Sequence, residues 1–167
     1  MGSLRPRFNR PILLGIFFIL PLFLAKGQTY GSASHTITVT VSTITNVTVT
    51  GGAVSFTITG ANAVAGQNTM SATNQATSLQ WGINSSTKKV TVQTNLTTQL
   101  FALKLVALNP TVGTAASQVT ITHTAQDFLT NLGRSTGSCT LQYTAVALAS
   151  QGTGTDSHTI TFTIATQ

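Results

Sequence analysis

Carboxylates are the scarcest feature of this 167-residue chain, which has two, Asp127 and Asp156, and no glutamate. Glycoside hydrolysis by paired carboxyls needs two such groups facing one site, so that chemistry has almost nothing to work with. Cysteine is nearly absent as well. Cys139 stands alone, which excludes an intramolecular disulfide. No phosphate-binding loop, dinucleotide fingerprint, HExxH or Cys/His metal spacing occurs. A strained G-x-S-x-G elbow is missing too, and the three histidines all lie in strand-like sequence. The chain is therefore read as non-enzymatic, with no catalytic residue and no cofactor. Long apolar runs are also lacking. Residues 12–25 form the longest one, interrupted by Gly15 and Pro21 and shorter than the ~20 residues of a spanning helix.

That apolar run follows Arg5, Arg7 and Arg10 and ends in the small residues Ala25 and Gly27. The arrangement is that of a signal peptide over residues 1–27, cut between Gly27 and Gln28. The net charge of +6 and the pI near 10.3 are then mostly targeting charge. Beyond the cut, Lys88, Lys89, Lys104 and Arg134 face the two aspartates, leaving +2. Only the two adjacent lysines cluster, so the basic stripe of a nucleic-acid reader is absent. The expected product is a secreted or cell-surface protein, free of the membrane after cleavage. Residues 28–167 make one domain, long enough for a core without disulfide staples.

What the mature chain does contain is alternation. Residues 138–167 read as a two-stranded hairpin: Cys139, Leu141, Tyr143, Ala145 and Ala147 share one face, and Ile160, Phe162 and Ile164 share another after a polar turn. Earlier, Ile37, Val39 and Val41 alternate over residues 35–41, Val47 and Val49 over 44–50, and Val54, Phe56 and Ile58 follow the turn signal Gly51-Gly52. Residues 60–78 show little periodicity and read as a long loop, or one hiding a weak strand near Val64. Leu79, Trp81 and Ile83 resume the pattern, then Val90 and Val92, then the strongly apolar residues 100–108. Val119, Ile121 and His123 share a further face. Thr124, Asp127, Phe128, Leu129, Leu132 and Gly133 have capped-helix spacing and predict one or two helical turns. Eight or nine short strands without a βαβ rhythm predict an all-β, antiparallel, immunoglobulin-like β-sandwich with one short helical turn. A closed barrel is the alternative.

Candidate functional residues are few. Trp81, the only tryptophan, reads as a core anchor whose N–H meets a carbonyl, or else as a ligand contact. Ser34-His35-Thr36-Ile37-Thr38 recurs as Ser157-His158-Thr159-Ile160-Thr161. First and last strands often neighbour one another in such sandwiches, so His35 and His158 are a candidate metal-binding or pH-sensitive pair, although shared edge-strand composition explains the repeat equally simply. The segment carrying His35, Ile37, Val39 and Val41 is also a candidate for donation to a neighbour's groove. Cys139, inside an alternating strand, reads as a small core residue. Threonine-rich faces suit ordinary strands, ice or carbohydrate.

Leu79-Gln80-Trp81, residues 88–92 and residues 152–164 together resemble Thr-rich secreted β-sandwich proteins of bacteria that have no assigned activity. The resemblance implies export and an all-β fold and supplies no site residues; likeness to pilin and surface-matrix subunits is architectural only. The function expected is a structural or adhesion protein, a subunit of an extracellular filament or surface matrix. Its partners would be its own copies or extracellular surface components. An extracellular module binding glycan or another ligand, through the loop over residues 60–78 and Trp81, is the alternative.

Overall fold

The computed structural model describes residues 33–167. The expected signal peptide, its cut at Gly27–Gln28 and the start of the polar lead lie outside the described residues. The chain divides into a unit ending at Val39 and a unit spanning Thr40–Gln167. Of the first, residues 33–39 are described; they are exposed and form neither helix nor strand.

The second unit is all-β, with nine strands among the described residues: β1 (Thr45–Thr50), β2 (Thr69–Ile83), β3 (Lys88–Thr94), β4 (Ala102–Leu108), β5 (Thr114–Ala115), β6 (Val119–Thr120), β7 (Gln126–Leu132), β8 (Ser135–Leu148) and β9 (Ile160–Thr166). They form two sheets, ordered β1-β2-β8-β4-β6 and β5-β7-β3-β9, and every pairing is antiparallel. Leu79, Leu105 and Leu141 from the first sheet and Val90, Phe128 and Leu129 from the second are fully buried in one shared core. The alternation of the sequence supplies these side chains, because only every second residue of a strand can face inward.

Four expectations need correction. First, β8 and β9 are not a hairpin. Both edges of β8 are taken, by β2 and β4, while β9 pairs with β3 in the other sheet. Second, the expected helical turn over residues 124–133 is strand β7. Its ladder jumps from Val90↔Leu129 to Thr91↔Asp127, leaving Phe128 as an extra bulged residue. The bulge turns both Phe128 and Leu129 inward, and a second irregularity near Asn131, at φ 57, brings in Leu132. A bulged strand thus copies helical spacing. Asp127 caps nothing; it pairs with Lys89 at 2.8 Å.

Third, most of the expected loop over residues 60–78 is the first half of β2. After a 3-10 turn at Gly60–Asn62 the strand starts at Thr69, not near Val64. Its register shifts between Asn74 and Thr77, where Asn74 Oδ1 accepts from the Ala76 N–H at 2.8 Å, and this break hides the period. Fourth, residues 35–41 form no strand. β1 pairs with β2 from Thr45↔Ile83 to Thr50↔Ser78, and Ile83 is the last residue of β2, so the ladder runs out before Thr45 is passed. Asn84 closes that end by accepting from the Ile44 N–H and donating to Ser42 O. Residues 53–58 keep their burial alternation, yet they join no ladder.

Trp81 is 4% exposed and pairs across the sheet with Gly137. A Cβ at Gly137 would overlap the indole ring, so the ring requires glycine there. The indole N–H finds no partner among the described residues, contrary to expectation. Gly137→Ala should therefore destabilise the fold by roughly 1–3 kcal/mol, the usual cost of overpacking. Urea unfolding of the two proteins, at unchanged m-value, measures this.

Candidate functional site

Two central strands of the first sheet are about twice as long as the longest strands facing them. β2 and β8 run 15 and 14 residues, whereas β3 and β9 run seven each. At ~3.4 Å per residue the second sheet covers only about half of that length. The uncovered half of the inner face floors an open groove of about 870 Å³. Met70, Leu103, Tyr143, Ala145 and Ala147 line its floor, and the small side chains on β8 leave the depth. One wall is the unpaired segment 52–60, with Val54 and Phe56 packed against the core. Residues 152–158 and the start of β9, with Ile160 and Phe162, form another. Thr77 lies at the bulge of β2, 3% exposed, and its hydroxyl in the groove lining has no partner among the described residues.

The wall formed by residues 152–158 is pinned by polar contacts. Asp156 Oδ2 accepts from the Phe101 N–H at 2.8 Å and stands 4.0 Å from His158 Nε2. His158 Nδ1 hydrogen-bonds Thr94 Oγ1 at 3.1 Å. Asn95 Oδ1 accepts from the Thr159 N–H at 2.7 Å, and Gln151 Nε2 donates to Leu100 O at 2.7 Å. Thr94, His158 and Asp156 have the residue types of a nucleophile–base–acid relay. Thr94 is only 1% exposed, however, so no substrate reaches its hydroxyl, and the cluster works as a latch holding the wall to the β3–β4 connection.

Burial holds the His158 imidazole below its ordinary 6.5, with the Asp156 carboxylate pulling the other way. The folded protein thus favours the neutral ring, and the unfolded chain takes up the proton first as pH falls. Stability from neutral His158 is full above 6.5 and is lost as pH drops through the lowered folded value. The melting temperature should decline as pH falls below 6.5, and His158→Gln should flatten that slope. Thermal melts across this range test it.

Cys139 lies inside the core, where burial raises its thiol to about 11, opposed by a hydrogen bond with the Leu79 backbone. Two units above the ordinary 9.0 cut the thiolate fraction about 100-fold. A thiol reagent at neutral pH should label Cys139 only once denaturant has opened the core.

The other sequence candidates are dispersed. Trp81 belongs to the core and borders a separate shallow hollow on the outer face of β2, with Gln80, Thr136 and Ser138, while Gly60, Met70 and Thr77 line the groove. The two elements of the expected ligand site therefore serve different places. His35 stands exposed on its unpaired segment, and His158 is engaged by Thr94 and Asp156. No group of three or more His, Cys, Asp or Glu side chains gathers among the described residues. Nor is any helix among them long and apolar enough to cross a membrane. The groove and Thr94 were missed in the sequence. Their only signals were small residues at Ala145 and Ala147 and an Asp156-x-His158 pair beside a turn. Comparisons with protein families, curated proteins and solved structures return no match.

Proposed function

We propose that the chain is a non-enzymatic structural or adhesion protein of the extracellular surface, a subunit that assembles with further copies of itself. The observation carrying this reading is the exposed row Ile37, Val39 and Val41, at 74%, 81% and 70% exposure. Three β-branched apolar side chains exposed at alternate positions are costly to leave in water, and burying them against another copy would recover that cost. The near-absence of charge supports it too. With Lys88, Lys89, Lys104 and Arg134 against two carboxylates, little electrostatic repulsion opposes the packing of copies. The same reading takes the two sheets as an immunoglobulin-like sandwich reached through a cleaved signal peptide, an architecture well suited to joining sheet edges.

A second reading, an extracellular ligand-binding module, draws on the groove alone, whose volume lies in the range of small-molecule sites. Ala145→Leu would narrow that groove at its floor and should weaken ligand binding.

The deciding measurement is assembly state by light scattering and negative-stain microscopy. Chains beginning at Gln28 and at Ser42 are compared; the later start keeps both Asn84 contacts to Ser42 and Ile44. Assemblies from the first and monomers from the second are expected. A monomer from both at high concentration would remove the structural reading and leave the module.

A further inference from the structure

We propose that residues 35–41 of one copy enter the groove of a second copy as an added strand, hydrogen-bonded along the free edge of β9, with Ile37, Val39 and Val41 turned toward the groove floor. This rests on the assembly reading above and names the acceptor. Two features of the acceptor point to a strand as its occupant. β9 ends its sheet, so its outer edge carries main-chain donors and acceptors with no ladder partner among the described residues. Residues 52–58, across the groove, make no backbone-to-backbone hydrogen bond among the described residues, although Val54, Phe56 and Ile58 alternate with exposed neighbours as in a strand. An inserted strand would thus find an edge on either side.

The donor matches by pattern. Its apolar residues fall at every second position and its threonines between them, the same grammar as Ile160, Phe162 and Ile164 with Thr161 and Thr163 on β9. Set beside β9, the donor would turn its apolar row to the core side and Thr36, Thr38 and Thr40 outward beside the β9 threonines. Neither row carries a charge to be desolvated.

A seven-residue extended strand exposes on the order of 1,100 Å². Burying about two-thirds of it would remove roughly 700 Å² from the donor, close to the ~800 Å² per partner of a specific interface. A strand passed from each copy to the next makes a head-to-tail contact, and such contacts propagate as filaments unless the rotation closes a ring.

The test uses the exported chain in two single variants, Thr38→Cys and Thr161→Cys, purified separately, mixed and oxidised. Native Cys139 is buried and serves as an unreactive background. A disulfide-linked heterodimer in the mixture is expected at least about 10-fold above either variant alone. Adding Val39→Asp to the Thr38→Cys chain should abolish it, because a carboxylate would then enter the apolar groove. A mixture without heterodimer overturns the proposal, and so does a double variant that closes the link within one chain. Heterodimer that survives Val39→Asp overturns it as well. Assemblies that persist in the chain beginning at Ser42 would overturn this docking while leaving the structural reading intact. Monomers throughout would end both.

Discussion

Everything unusual in this structure follows from a mismatch in strand length. β2 and β8 bind each other along nearly their whole extent, from Thr69↔Leu148 to Ile83↔Ser135. The sheet that faces them is built from strands half as long. Where both sheets are present, Leu79, Leu105, Leu141, Val90 and Phe128 close a dry core. Past the end of the shorter sheet the inner face of β2 and β8 still alternates, but toward Met70, Ala145 and Ala147, with only chain segments to cover it. A fully covered face would have collapsed to native packing density. Here the missing layer leaves a groove.

The walls of that groove show how an almost charge-free chain fixes its loops. Asp156 spends its carboxylate on a backbone N–H and on the approach of His158, and His158 in turn reaches the buried Thr94. Amides do the rest, through Asn95, Gln151 and Asn84. Neutral hydrogen bonds of this kind contribute modestly each, about 1 kcal/mol, yet leaving them unmade inside the fold costs more. The latch residues are thus engaged with one another and with the backbone they hold.

The alternation of Val47, Leu79, Trp81, Val90, Val92, Leu103, Leu105, Leu141 and Tyr143 was legible in the sequence and placed the core correctly. The failures have specific causes. β7 was hidden because bulges at Phe128 and near Asn131 convert a two-residue period into one resembling a helix. The first half of β2 was hidden because its inward positions, Met70, Ala72 and Asn74, are only half-buried and so need not be strongly apolar. The candidate site was scarcely legible: Met70, Ala145 and Ala147 of its floor have little signature, its Leu103 and Tyr143 read as ordinary core residues, and its walls lie about a hundred positions apart in the chain, at residues 52–60 and 152–162.

The sequence by itself determined the all-β character and the inward side chains of the unbulged strands, because strand geometry sets a period of two and residues i and i+2 share a face whatever their partners. The scarcity of carboxylates and the single cysteine were likewise readable without coordinates. Only the tertiary structure decided which strand pairs with which. The last two strands look like a hairpin locally, yet β8 is claimed on both edges by β2 and β4, and β9 finds its partner in β3. Pairing is a competition between edges distant in the chain, won by total buried surface, and no local pattern encodes its outcome. The open edge of β9 and the groove beside it are products of that competition.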